Sequence, residues 1–136
     1  MLDCLIVGDS IAVGTHAVRK ECAEYATGGL NTWQWNRKYK TADLTAKSVI
    51  ISLGTNDHKY IKTRQELEAM RARVHADRVY WIMPPCNEKF CKADVNETVK
   101  QIAEANGDFI IATKRVQTDK IHPSWAGYKE LAEAAK

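Results

Sequence analysis

The chain has 136 residues, enough for one domain with a two- or three-layer core. Its 45% hydrophobic and 27% charged residues are ordinary for a soluble globular protein. A net charge of +3, with Lys and Arg spread along the chain, leaves no electrostatic footprint for nucleic acid, and no apolar run nears the roughly 20 residues needed to span a bilayer. Met1 leads straight into a core-like strand without a secretory signal, so the cytoplasm is the expected location, unless export uses another route or the chain is a piece of something larger.

In chain order, the first element is an apolar strand at residues 2–7 that stops at Gly8-Asp9-Ser10. An amphipathic helix is predicted near residues 11–22, a weak strand at 24–26, then Thr27-Gly28-Gly29 and a poorer helix around 32–39. The run "SVIISL" at 48–53 is a third strand, ending in Gly54-Thr55-Asn56-Asp57. Thr63-Arg64-Gln65-Glu66 has the pattern of a capping box ahead of Leu67, Met70 and Val74. A fourth strand follows at 78–83. Asp94-x-x-Glu97 is expected to cap a helix presenting Val95, Val99 and Ile102, with Gly107 as terminator. A fifth strand at 108–112 precedes Asp119-Lys120-Ile121-His122-Pro123. The last helix, from about Pro123, places Tyr128, Leu131, Ala132 and Ala135 on one side.

Short apolar strands alternating with helices call for a parallel sheet covered on both faces. The expected fold is a single α/β domain over residues 1–136. It is a three-layer α/β/α sandwich with a five-stranded parallel sheet in the flavodoxin-like order 2-1-3-4-5. Such sheets put their chemistry outside the carboxyl ends of the strands, which is where the four polar loops fall.

Those loops hold the parts needed for acyl transfer. A serine hydroxyl, Ser10, becomes a nucleophile when a base such as His122 takes its proton. The base needs a carboxylate to fix its tautomer, and Asp119, three residues back, is spaced to reach Nδ1 while Nε2 points towards Ser10. An oxyanion wants donors already in place, and the backbone N–H of Ser10, that of Gly28 or Gly29, and the Asn56 side chain are candidates. A glycine lets the backbone approach a ligand with no Cβ in the way.

GDS after the first strand, a glycine loop after the second, GTND after the third and D-x-x-H-P before the last helix resemble the four sequence blocks of the SGNH hydrolases, the GDSL-type esterases, lipases and acetylesterases. The resemblance spans residues 5–128 in order and spacing. It implies Ser10 as nucleophile, His122 as base, Asp119 as its orienter, and Gly29 and Asn56 as oxyanion donors beside Ser10, with Gly28 as alternate. It also implies hydrolysis of carboxylic esters, thioesters or carbohydrate acetyl groups without metal or cofactor. The expected function is a serine esterase acting on small acyl groups, acetyl above all, carried by a small molecule or a glycan. The alternatives are a non-catalytic glycan- or ligand-binding module on the same fold, or a thioesterase or lysophospholipase of the same family. An α/β-hydrolase is set aside because position 12 is Ala and the serine arrives at residue 10, leaving no room for the several strands that precede that fold's nucleophile elbow. A receiver module is disfavoured because the strand ends lack its carboxylate cluster.

Several residues carry plainer readings. Asp9 is expected to hold its loop by side chain to backbone bonds. Asp57 is the lesser alternative to Asp119. His16, His58 and His75 read as surface or packing residues, and Trp81 as core. Trp33 and Trp125 stand between core packing and stacking on an acyl or sugar group. Cys4 and Cys22 read as buried thiols. Cys86 and Cys91 are spaced to bridge one another, with the reduced pair favoured in a chain lacking a signal. Nothing completes C-x4-C into a zinc site, so no metal is expected.

Overall fold

The structure is a computed structural model of the chain, and residues 1–113 and 121–135 are described. Five strands form one parallel sheet: β1 (Leu2–Gly8), β2 (Ala23–Ala26), β3 (Ala46–Ser52), β4 (Arg78–Ile82) and β5 (Phe109–Ile111). They lie in the order β2-β1-β3-β4-β5, as expected. The helices between them are α1 (Ser10–Ala17), α2 (Thr32–Lys38), α3 (Thr63–Ala72), α4 (Ala93–Ala105) and α5 (Trp125–Ala134).

Successive side chains of a strand point to opposite faces, and here both faces are dry. Leu5, Val7, Val49, Ile51 and Trp81 pack beneath α2, α3 and α4 with Trp35, Leu67, Met70 and Val99. Cys4, Ile6, Ile50, Tyr80 and Ile82 pack on the other side against Ile11 and Ala12 of α1 and Leu131 of α5. That division puts α1 and α5 in one layer and the other three helices in the second. Among the described residues no helix is long and apolar enough to cross a membrane.

Register brings the loops of the first three strands to one level. Gly8 is paired with Ala26 on one side and Ser52 on the other. Asp9 N–H donates to the Ser52 carbonyl at 2.9 Å, and Thr27 N–H to the Gly8 carbonyl at 3.0 Å. The chain passes so close at this point that a Cβ on Gly8, at φ +141°, would lie 1.8 Å from the Ser52 carbonyl oxygen. Only glycine fits there.

Two expected caps are not formed. The N-caps of α3 and α4 are Lys62 and Lys92, neither with a side-chain cap bond. Thr63 instead donates its hydroxyl to Asp57 at 2.6 Å, and Glu66 accepts from Arg37 and Asn36 at 2.9 Å each. At α3, tertiary partners have taken the groups that local pattern assigned to capping. The capping box the molecule does use is Asn31 with Gln34 at the start of α2, each side chain bonded to the other's backbone N–H. Gly107 ends α4 as expected, at φ +69°. The last helix starts at Trp125, capped by Ser124.

The cysteine expectations are corrected. Cys4 and Cys22 are joined to each other, and so are Cys86 and Cys91, leaving no free thiol. β1 and the residue before β2 run side by side, so two small residues that looked like independent core thiols face one another across a Cα separation of 4.8 Å. At 4.1 Å, the second pair closes the loop between β4 and α4.

Candidate active site

The site grows out of the end of β1. Asp9 is the N-cap of α1, accepting from Ile11 N–H at 3.0 Å, and Ser10 is the helix's first residue. A backbone N–H at that position has no partner within its own helix, and the helix end is the positive pole of the peptide dipoles. Ser10 therefore stands where an anion is welcome.

From 112 residues further along, His122 arrives in the segment that leads into α5. Its Nε2 lies 2.8 Å from Ser10 Oγ. With the proton on Nδ1, Nε2 accepts from the serine hydroxyl, the arrangement general-base catalysis requires. Asp119 lies outside the described residues. The competing carboxylate, Asp57, is buried and its oxygens are engaged elsewhere. It accepts from Thr32 N–H at 2.8 Å, Thr32 Oγ1 at 2.7 Å and Thr63 Oγ1 at 2.6 Å. Asp57 thus pins the start of α2 to the start of α3.

The candidate oxyanion donors fall on the neighbouring loops. A Cβ on Gly28 would sit 3.7 Å from Ser10 Cβ, so the Gly28 backbone passes beside Ser10. Gly29 adopts φ +82°, which favours glycine, and has open space where a side chain would be. Asn56 donates one amide N–H to the Leu30 carbonyl at 3.0 Å, which leaves its second N–H to meet a ligand. That bond ties the loop after β3 to the loop after β2.

Beside Ser10 in sequence lies an unusual carboxyl. Asp9 is fully buried, with Oδ1 accepting from Ile11 N–H and, at 3.2 Å, from Ser52 Oγ. Among the described residues its Oδ2 has no hydrogen-bond partner. Burial pushes its pKa up to about 7, and the bonds it accepts only partly offset the cost of desolvation. Asp9 holds the loop, as expected, but it does so near the edge of ionisation.

Trp33 and Trp125 are 49% and 60% exposed, so neither is a core residue. Arg37 covers the Trp33 ring at 4.4 Å, and Lys129 covers Trp125 at 5.5 Å. His16 serves structure, bonded to the Cys22 carbonyl and facing Glu24. Among the described residues, one group brings metal-type ligands together, Cys4, Glu21 and Cys22, but both its sulfurs are spent in a disulfide.

Sequence reasoning passed over Lys92. Its ammonium donates to the carbonyls of Thr55 at 2.8 Å and Asp57 at 2.6 Å, the two residues flanking Asn56. A lysine in a charged loop carries no local signal for such a role; only the three-dimensional meeting of two loops reveals it.

No protein-family model matches the sequence, and no curated protein does. Solved structures do. A protein of Bacteroides fragilis assigned as an acylhydrolase superimposes with a TM-score of 0.68 at 18% identity, over 96% of this chain and 83% of its own. An acetylxylan esterase of Geobacillus stearothermophilus gives 0.65 at 18% identity, over 98% of this chain and 91% of its own. The catalytic domain of a peptidoglycan O-acetyltransferase of Streptococcus pneumoniae gives 0.61 at 16% identity, over 97% and 89%.

The fold is that of the SGNH hydrolases. The likeness reaches nearly the whole chain, the five-stranded sheet included. At these identities it speaks to architecture, and the chemistry has to be argued from the side chains themselves.

Proposed function

We propose that this protein is a serine esterase that hydrolyses carboxylic esters of small acyl groups, with Ser10, His122 and Asp119 as its triad. The observation that carries this reading is the 2.8 Å approach of Ser10 Oγ to His122 Nε2. The SGNH-type neighbours, esterases and acyltransferases among them, support the reaction class.

In the first half-reaction His122 Nε2 takes the Ser10 proton as Oγ bonds to the ester carbonyl carbon. The carbonyl oxygen becomes an oxyanion, met by the Ser10 N–H, the backbone at Gly28 and Gly29, and the Asn56 amide. The tetrahedral adduct collapses, the alkoxide leaves with the proton held on His122, and an acyl-serine remains. In the second half-reaction His122 takes a proton from water, hydroxide adds to the acyl carbon, and Ser10 leaves with that proton returned to it. Asp119 keeps the imidazole in the required tautomer throughout.

The short loops of a 136-residue chain favour a shallow site and hence a small acyl group. Two of the neighbours are named for acetyl chemistry on carbohydrate, which supports acetyl and a glycan alcohol. The exposed rings of Trp33 and Trp125 are suited to stacking on such a sugar. The two disulfides favour an oxidising compartment over the cytoplasm expected from the amino terminus.

The test is a series of nitrophenyl esters of increasing chain length, run beside acetylated sugars. Turnover that falls off beyond two to four carbons, is abolished by Ser10→Ala and is blocked by one equivalent of a serine-directed phosphonate is the expected result. Glycan binding without turnover, or turnover that survives Ser10→Ala, overturns the reading.

A further inference from the structure

We infer that Lys92 is a positioning residue that sets the aim of the Asn56 amide by clamping the peptide on both sides of it. The inference rests on the proposed role of Asn56 in the esterase reading.

The geometry is a bracket. One ammonium group donates to the carbonyl before Asn56, on Thr55, and to the one after it, on Asp57. Two bonds from one atom to carbonyls two residues apart hold that stretch of backbone in a single shape. Charge-assisted bonds are about twice as strong as neutral ones, so the stretch resists the swing that a surface loop would make. The Asn56 side chain then has one N–H fixed on the Leu30 carbonyl, and the direction of the other follows from the backbone.

Lys92 is itself anchored. It is the N-cap of α4 and the residue after Cys91, whose disulfide to Cys86 closes the preceding loop. The Phe90 ring, inside that loop, lies 5.6 Å from the ammonium. Below the bracket, Gly54 packs against Val95 so closely that a Cβ would meet Val95 Cγ1 at 2.7 Å. The Asp57 carboxylate holds the far side through Thr32 and Thr63. The loop is therefore fixed from α2, α3 and α4, and Lys92 is the member that grips its backbone at Asn56.

A donor that must sit near 3 Å from a developing oxyanion loses much of its value when displaced by an ångström, whereas ground-state binding depends on it little. Lys92 should thus act on kcat and leave KM nearly untouched. A direct electrostatic effect of the ammonium on the oxyanion would also lower kcat, and a double-mutant cycle separates the two.

The experiment measures kcat and KM for Lys92→Met, Asn56→Ala and the double variant on a nitrophenyl acetate, with circular dichroism and melting temperature as controls for folding. The expected result is a kcat about tenfold lower for Lys92→Met, KM within about twofold, and no further loss when Lys92→Met is added to Asn56→Ala. Should Lys92→Met fail to fold, Lys92→Arg, which keeps N–H donors but moves them, enters the same cycle. An undiminished loss in the Asn56→Ala background, or an unchanged kcat in folded Lys92→Met, overturns the positioning role while leaving the esterase reading intact. An unchanged kcat in Asn56→Ala overturns the assigned role of Asn56, and this inference with it.

Discussion

The ring of Tyr128 on α5 fills the volume that a side chain at Gly14 on α1 would occupy: a Cβ there would lie 2.1 Å from Tyr128 Cζ. Ser10 opens α1 and His122 stands just ahead of α5, so this contact helps fix the distance between Ser10 and His122.

Gly14→Ala is the first prediction. In a free helix that change stabilises by up to about 1 kcal/mol, but overpacking against the Tyr128 ring should reverse the sign and cost about 1–3 kcal/mol. Activity should fall with it, because α1 and α5 are pushed apart where Ser10 meets His122. Calorimetry and esterase kinetics check both. Adding Tyr128→Ala should restore part of each loss, an outcome that simple helix propensity does not produce.

Asn56→Ala should lower kcat by roughly a hundredfold to a thousandfold, the usual scale for one oxyanion donor. Circular dichroism should show the fold retained, since the lost bond to the Leu30 carbonyl is a single loop tie. Steady-state kinetics on a short-chain ester is the measurement.

Asp57→Ala should destabilise by about 2–4 kcal/mol, because it strands a buried Thr32 N–H and two hydroxyls. Were Asp57 the orienter of His122, Asp57→Asn would cost kcat on the scale of a lost triad carboxylate, about ten-thousandfold, with little change in melting temperature. We expect the opposite pattern: Asp57→Asn shifts the melting temperature, and kcat in the folded fraction changes by less than about tenfold.

For Asp9 the prediction concerns pH. Its ordinary value of 3.8 in the unfolded chain is raised to about 7 by burial in the native state. Between these values the folded protein holds more protons than the unfolded chain, so the contribution of this group to stability is full below about pH 4 and declines as pH rises to about 7. Asp9→Asn keeps an acceptor for the Ile11 N–H and removes the ionisation. Melting temperature plotted against pH should lose slope across that interval in the variant.

Much of this arrangement was legible in the residues. The apolar runs marked five strands, because strands buried on both faces leave continuous aliphatic stretches such as residues 48–53, and their order was that of a small doubly wound sheet of this size. The meeting of Ser10 with His122 followed from topology, since all strand ends of a parallel sheet share one rim. What escaped was settled by long-range contact. Thr63 and Glu66 looked like a cap and were drawn to Asp57 and Arg37 instead. Cys4 and Cys22 looked like separate thiols because a sequence separation of 18 hides a Cα separation of 4.8 Å. Gly28 and Gly29 differ in surroundings that adjacent letters of sequence do not show: a Cβ on Gly28 would lie 3.7 Å from Ser10 Cβ, while Gly29 takes φ +82° with open space around it.

Cys4 precedes Ser10 and Cys22 follows α1, so the bond between them encloses β1's end, Ser10 and all of α1 in one covalent ring. Glutathione and thioredoxin keep such sulfurs apart in an ordinary bacterial cytosol. Protein harvested from that source is then a different chemical species from the oxidised form described here. A count of titratable thiols in denaturant, four against none, tells the two preparations apart before any assay of either is compared.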